Sequence, residues 1–220
     1  MRRVPRDLIV LLASLAVVAG CTVVVADGKV GAAERAAFHA VNGLPGWLYL
    51  PMLLAQFLGV LGIPLVVAAV ALLLRRWRLA AALALVVPLK LAAERVPKQL
   101  VQRERPGTTV PHAILRDGVH PGGLSFVSGH AIITFAVAGL LALVLPRRWA
   151  VVAFVLATLN AVARVYLGAH NPLDVVGGAA IGLAIAAALD LVLDVARDRP
   201  GMLRTAGPPR RSPTGSPRRR

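Results

Sequence analysis

Six apolar segments divide the chain: Leu8 to Ala26, Leu48 to Leu74, Leu79 to Val96, His130 to Leu145, Trp149 to Tyr166, and Leu173 to Leu193. Most come near the ~20 apolar residues that carry a helix across the hydrocarbon core of a bilayer, and the fourth is the shortest. Lipid offers no partner for backbone N–H and C=O groups, so segments of this kind are expected to be helical. Arg75-Arg76-Trp77-Arg78 and Pro146-Arg147-Arg148 interrupt neighbouring segments and are short enough only for tight turns. The helices should therefore run up and down. Of 220 residues, 57% are hydrophobic and 16% charged, which leaves little material for a soluble charged shell or a large appended domain. The expected fold is all-α: a polytopic membrane protein with six transmembrane helices over residues 1–198, followed by a basic tail over 199–220.

The net charge of +15 would suggest nucleic acid in a soluble protein, but here its distribution matters more. If the N-terminus is cytoplasmic, sixteen arginines fall at the inner ends and turns: Arg2, Arg3 and Arg6, then 75–78, 147–148, and eight beyond residue 195. The outer connections hold seven cations: Lys29, Arg35, Lys98, Arg103, Arg105, Arg116 and Arg164. This asymmetry places both termini in the cytoplasm and the chain in the cell membrane. Trp47, Tyr49 and Tyr166 should then sit at the outer interface, with Trp77 and Trp149 at the inner one. No fold for nucleic-acid binding is indicated. The tail is rich in Pro, Gly, Ser, Thr and Arg and lacks the apolar surface to fold; it reads either as attraction to anionic lipid or as a solvated topogenic segment.

The single cysteine, Cys21, permits no internal disulfide, and no zinc-type Cys/His cluster occurs. Val18-Ala19-Gly20-Cys21 after an arginine-rich start resembles a lipoprotein signal. The apolar run continues beyond it to Ala26, so a retained first helix is the simpler reading. Residues 27–46 form an outer connection in which Ala33 to Val41 is expected as a short amphipathic helix on the membrane surface, with no chemistry assigned.

Charges and histidines at helix ends are costly in a membrane, and three clusters stand at the expected outer ends of helices three to six. They are Lys98 to Pro106, Ser128-Gly129-His130, and Arg164 followed by His170 and Asp174. Fixed cations, two histidines and a lone carboxylate suit an oxyanion. Arg105 and Arg164 can clamp phosphate oxygens as forks while Lys98 supplies a point charge. Lys90, Glu94 and Lys98 share a helical face, so Glu94 either orients Lys98 or neutralises Lys90. Ser128 fits the N-cap of helix four, leaving the Gly129 and His130 amides for an anion. Asn171, Pro172 and Asp174 fit the start of helix six, which brings His170 within reach of Asp174. A carboxylate on one ring nitrogen fixes the tautomer and frees the other nitrogen to attack phosphorus. Alternatively, Asp174 is merely a helix cap.

The order Lys98, six residues, Arg105-Pro106; Ser128-Gly129-His130; Arg164, five residues, His170, three residues, Asp174 resembles the three-part signature of the type 2 phosphatidic acid phosphatase superfamily of membrane lipid phosphatases. The resemblance implies a nucleophilic His170 that becomes phosphohistidine, an orienting Asp174, and His130 as proton donor to the leaving group. It implies phosphate binding by Lys98, Arg105, Arg164, Ser128 and the Gly129 amide, with Arg103 at a frequently basic position. No cofactor or metal is expected. Two positions depart from the family pattern: Val127 stands where proline usually precedes Ser-Gly-His, and Ala163 where serine usually precedes the third-motif arginine. Reduced activity rather than loss would follow.

A site facing outward favours a lipid phosphate presented at the outer leaflet. Polyprenyl diphosphate ranks first and a glycerophospholipid phosphate such as phosphatidate or phosphatidylglycerophosphate next. Residues 107–127, bearing His112 and His120, form the expected lid. The rival readings are a lipid-phosphate or anion transporter that uses the same pocket without turnover, and a relative of vanadium-dependent haloperoxidases. Gly178 and Gly182 mark a small-residue contact face in helix six, whether within the chain or between copies. Asp190 and Asp194 are expected to pair with inner arginines.

Overall fold

The computed structural model of the chain describes residues 4–120 and 122–198; the basic tail expected over 199–220 and Arg2 and Arg3 lie outside the described residues. The described residues form an all-helical bundle without strands. In chain order the helices are α1 (Val4–Val24), α2 (Ala32–Asn42), α3 (Tyr49–Gln56), α4 (Gly62–Leu73), α5 (Trp77–Leu100), α6 (Pro106–Thr109), α7 (Gly129–Val144), α8 (Arg147–Tyr166) and α9 (Pro172–Leu193). Short 3₁₀ turns flank α3 at Gly46–Leu48 and Phe57–Gly59, and another, Val195–Asp198, follows α9.

Three helices, α1, α8 and α9, are long and apolar enough to cross a membrane, and the α3–α4 pair makes a fourth if its two limbs count as one span. The expected second span, Leu48 to Leu74, is not one continuous helix. It breaks after Phe57–Gly59 and turns through 64° before Gly62–Leu73. The cause is local: Val60 adopts an extended conformation, and Gly59 lies so close to His130 that a Cβ there would stand 2.6 Å from that side chain. Pro64 falls in the first turn of α4, where its missing N–H removes no helical bond. Helix α5 continues to Leu100 and so includes Lys98. Cys21 is buried within the continuous helix α1.

Helix α7 lies at the centre, with α9, α8 and α5 around it, while α1 packs on the other side of α9. The Gly178 and Gly182 face is used inside the chain. A Cβ at Gly182 would stand 2.5 Å from the Ile132 carbonyl oxygen, and one at Gly178 would stand 2.5 Å from that of Ser128. The backbones of α7 and α9 therefore touch, which small residues alone permit. This contact holds the start of α9 beside the start of α7, and the Ser128 N–H donates to the Asp174 carbonyl at 2.9 Å.

The connections at this end are tied down by two polar residues, the buried Asn42 and the half-buried Arg116. The Asn42 amide donates to the carbonyls of Ile114 and Tyr166, both at 2.9 Å, and its oxygen accepts the Ile114 N–H at 2.8 Å. Arg116 donates to the carbonyls of Tyr166 and Asn42 and lies over the Tyr166 ring, 3.7 Å from its centroid. Tyr166 is accordingly buried, with its hydroxyl donating to the Pro45 carbonyl, and it does not take the lipid-interface position expected from the sequence. Trp47, Trp77 and Trp149 are exposed, as interfacial rings should be. At the opposite end, Asp194 pairs with Arg197, whereas Asp190 accepts the Ala196 N–H and meets no arginine among the described residues.

The α7–α9 contact predicts a position-specific sensitivity. Gly182→Ala should lower stability by about 1–3 kcal/mol, because backbone atoms of the facing helix must withdraw. Gly20→Ala, where nothing lies within 4 Å of the added carbon, should leave the thermal unfolding midpoint in detergent undiminished, since alanine also favours the helix.

Candidate active site

A cavity of ≈ 350 Å³ opens between the ends of α5, α7 and α8, the α3–α4 bend, and the 101–128 connection. Its walls carry Lys90, Lys98, Arg105 and Arg164 together with Glu94, His130 and His170. Four cations thus face one carboxylate, an excess of positive charge that suits anions with several oxygens.

Each cation is held by a different element. Arg164, in the last turns of α8, donates from Nη1 to Gln56 Oε1 at 2.6 Å, and Gln56 ends α3, which packs on α8. Arg105 begins the short helix α6 and reaches the carbonyls of His120 and Ala169, both at 3.4 Å. Burial lowers the Arg105 pKa from its ordinary value, against the opposing pull of Asp174. The Nε atoms of both arginines are buried and meet no acceptor among the described residues. Buried donors of this kind call for a partner, and a phosphate presents oxygens to two forks at once.

Both readings of Glu94 hold together. Lys90 Nζ donates to Glu94 Oε1 at 2.9 Å, and Lys98 Nζ lies 3.7 Å from Glu94 Oε2. This pair packs under the start of α7, where a Cβ at Gly129 would stand 2.6 Å from Glu94 Oε2. Close approach explains the glycine between Ser128 and His130. Ser128 occupies the N-cap position of α7, but its hydroxyl makes no cap bond there and has no partner among the described residues. The first-turn amides at Gly129 and His130 have no intrahelical acceptors, and both residues line the cavity.

His170 lies in the turn between α8 and α9, buried, with Nδ1 facing Asp174 Oδ2 at 3.7 Å. That separation exceeds a formed hydrogen bond. It leaves Nε2 as the ring nitrogen toward the cavity. Burial pushes the His170 pKa down to about 4; Asp174 opposes this, and Arg164 and Arg105 reinforce it. The imidazole is therefore neutral at pH 7, as a nucleophile requires. Asp174 caps α9: its Oδ2 accepts the Asn171 N–H at 2.8 Å while its Oδ1 accepts from Arg103 Nη1 at 3.0 Å.

The predicted residues Lys98, Arg105, Gly129, His130, Arg164 and His170 come together around one cavity. Asp174 stands directly behind His170. Ser128 is fully buried beside the cavity at the α7 N-terminus. Three residues had no role assigned from the sequence or were placed only by resemblance. Gln56 binds Arg164, Arg103 binds Asp174, and Glu34 of α2 binds Arg103 at 2.5 Å. For Gln56 the available signal was a polar residue within an otherwise apolar stretch; Glu34, beside Arg35 in an amphipathic segment, gave no such signal. Among the described residues no three histidine, cysteine or carboxylate side chains converge as a metal site would require.

Comparison with known proteins bears on the fold and the family. The fold is similar to that in the crystal structure of the first transmembrane PAP2 type phosphatidylglycerolphosphate phosphatase from Bacillus subtilis, with a TM-score of 0.66 and 23% identity, covering 84% of this chain and 94% of that one. It is also similar to LpxE from Aquifex aeolicus, with a TM-score of 0.58 and 22% identity over 74% of this chain and 98% of that one. No curated protein sequence matches the chain. The family model of the PAP2 superfamily matches residues 75–198, more than half of the chain and the part that bears all three clusters, and the chain belongs to that superfamily.

Proposed function

We propose that this protein is an integral membrane lipid phosphatase that hydrolyses a lipid phosphomonoester or diphosphate through a phosphohistidine on His170. The observation that carries this reading is the convergence of His170, backed by Asp174, with His130 and four cations on one cavity. The terminal phosphoryl group binds among Lys98, Arg105, Arg164 and the amides at the start of α7. Nε2 of His170 attacks phosphorus in line, and the bond to the leaving oxygen breaks as protonated His130 gives that oxygen a proton. Water then attacks the phosphohistidine while neutral His130 takes its proton, and the P–N bond breaks to release phosphate. The cationic side chains supply the charge stabilisation, so the reaction needs no metal. Ser128 Oγ, buried without a partner, is suited to donate to a phosphate oxygen.

Six spans follow when α5 and α7 are counted with the apolar helices and α3–α4 as one broken span. Helix α7, about 24 Å long at 1.5 Å per residue, is surrounded by α5, α8 and α9 and needs little lipid contact. The positive-inside asymmetry then puts both termini in the cytoplasm and the cavity at the outer face of the cell membrane. At that face polyprenyl diphosphate is the favoured substrate: it is presented there, and four cations in ≈ 350 Å³ suit a diphosphate. A glycerophospholipid phosphate is second, the class named for the Bacillus subtilis relative.

Phosphate release by purified protein in excess EDTA, with polyprenyl diphosphate, phosphatidate and phosphatidylglycerophosphate offered in parallel, should be undiminished and fastest with the first. His170→Ala should abolish it; full activity in that variant would overturn the mechanism, and lipid binding without turnover in the wild type would point to a transporter. Arg164→Lys keeps the charge but loses the fork and should lower kcat/KM about 10- to 100-fold. Vanadate should inhibit as a phosphate mimic.

A further inference from the structure

Behind the cavity lies a chain of buried charges that begins on α2, an element outside the matched region and without assigned chemistry. Glu34 uses both carboxylate oxygens: Oε2 accepts from Arg103 Nη2 at 2.5 Å and Oε1 accepts the Leu173 N–H at 2.9 Å. Arg103 is fully buried and its other terminal nitrogen binds Asp174 Oδ1 at 3.0 Å. Asp174, also fully buried, turns its second oxygen to the Asn171 N–H and to Nδ1 of His170. We propose that Glu34 is a positioning residue of the active site, acting through Arg103 to hold the Asp174 carboxylate in place behind His170.

Two physical effects follow from this geometry. The first is charge: Arg103 stands between two carboxylates, so Asp174 does not carry the whole of its counter-charge and presents more negative potential to the imidazole. The second is placement. Leu173 and Asp174 both belong to the first turn of α9, so Glu34 grips the turn directly and through Arg103. Helix α2 is itself anchored, by Asn42 at one end and by Phe38 in a cluster with Val110, Ala131, Val165 and Val175. A buried pair that served folding alone would make no difference to the attacking ring, and this distinguishes the two roles.

The inference rests on the reading of His170 as nucleophile. The test compares Glu34→Gln, Glu34→Asp and Arg103→Lys with the wild type, each normalised to folded protein from size-exclusion and melting profiles. Glutamine retains an acceptor for the Leu173 N–H but turns an NH₂ group toward Arg103, which breaks the chain of charge. Glu34→Gln should lower kcat about 10- to 100-fold with KM nearly unchanged. Vanadate, as a mimic of the five-coordinate phosphorus reached when the ring nitrogen attacks, should inhibit more weakly by a similar factor, while inhibition by inorganic phosphate stays the same. Glu34→Asp, which keeps the charge, should recover part of kcat. Arg103→Lys should give the same kcat-selective loss and replaces Glu34→Gln if that variant does not fold. Wild-type kcat per folded molecule, or equal weakening of vanadate and phosphate, overturns the role of Glu34. Turnover by His170→Ala would instead overturn the underlying mechanism.

Discussion

A carboxylate with no solvent exposure is the constraint around which the cavity-bearing end of this protein is built. Asp174 is sealed between α7 and α9, and an ionised group in such a place must find partners or be neutralised. It finds Arg103, the Asn171 amide and the His170 ring. Arg103, buried in turn, needs a second carboxylate, and Glu34 supplies it from α2. Three separate stretches of chain are thereby brought to one point, and the ring proposed as nucleophile stands at the end of the series.

Helix packing makes that arrangement possible. Gly178 and Gly182 let α9 approach α7 to backbone contact, so the starts of the two helices share one location and Ser128 binds directly to Asp174. Around them, the packing of α3 on α8 brings Gln56 to Arg164. Asn42 and Arg116 bind the surrounding connections to the end of α8. The cations then face a confined space rather than bulk water, where charge acts over distance with less screening.

Much of the site was legible because its chemistry is local in sequence. Lys98 and Arg105, Ser128 to His130, and Arg164 to Asp174 each form a short cluster, and helix ends in a membrane protein seldom carry such groups without use. The helix starts at Gly129 and Pro172 were readable from capping residues and proline placement, although the Ser128 hydroxyl turns out not to cap. Tyr166 misled because aromatic rings near span ends usually face the lipid interface; the stacked Arg116 guanidinium from the distant 107–127 connection claims it instead.

What the sequence determined by itself was the class of object: apolar segments of helical length, tight arginine turns, and three clusters of cationic, histidine and helix-start residues in a fixed order. These properties depend on residues near one another along the chain. The tertiary structure alone decided that the second apolar segment breaks by 64°, that Gln56 belongs to Arg164, and that Glu34 reaches Arg103 across 69 positions of sequence. Such pairings are set by which helices can approach closely and by the need of buried charge for a partner, and neither is written in any local pattern of residues.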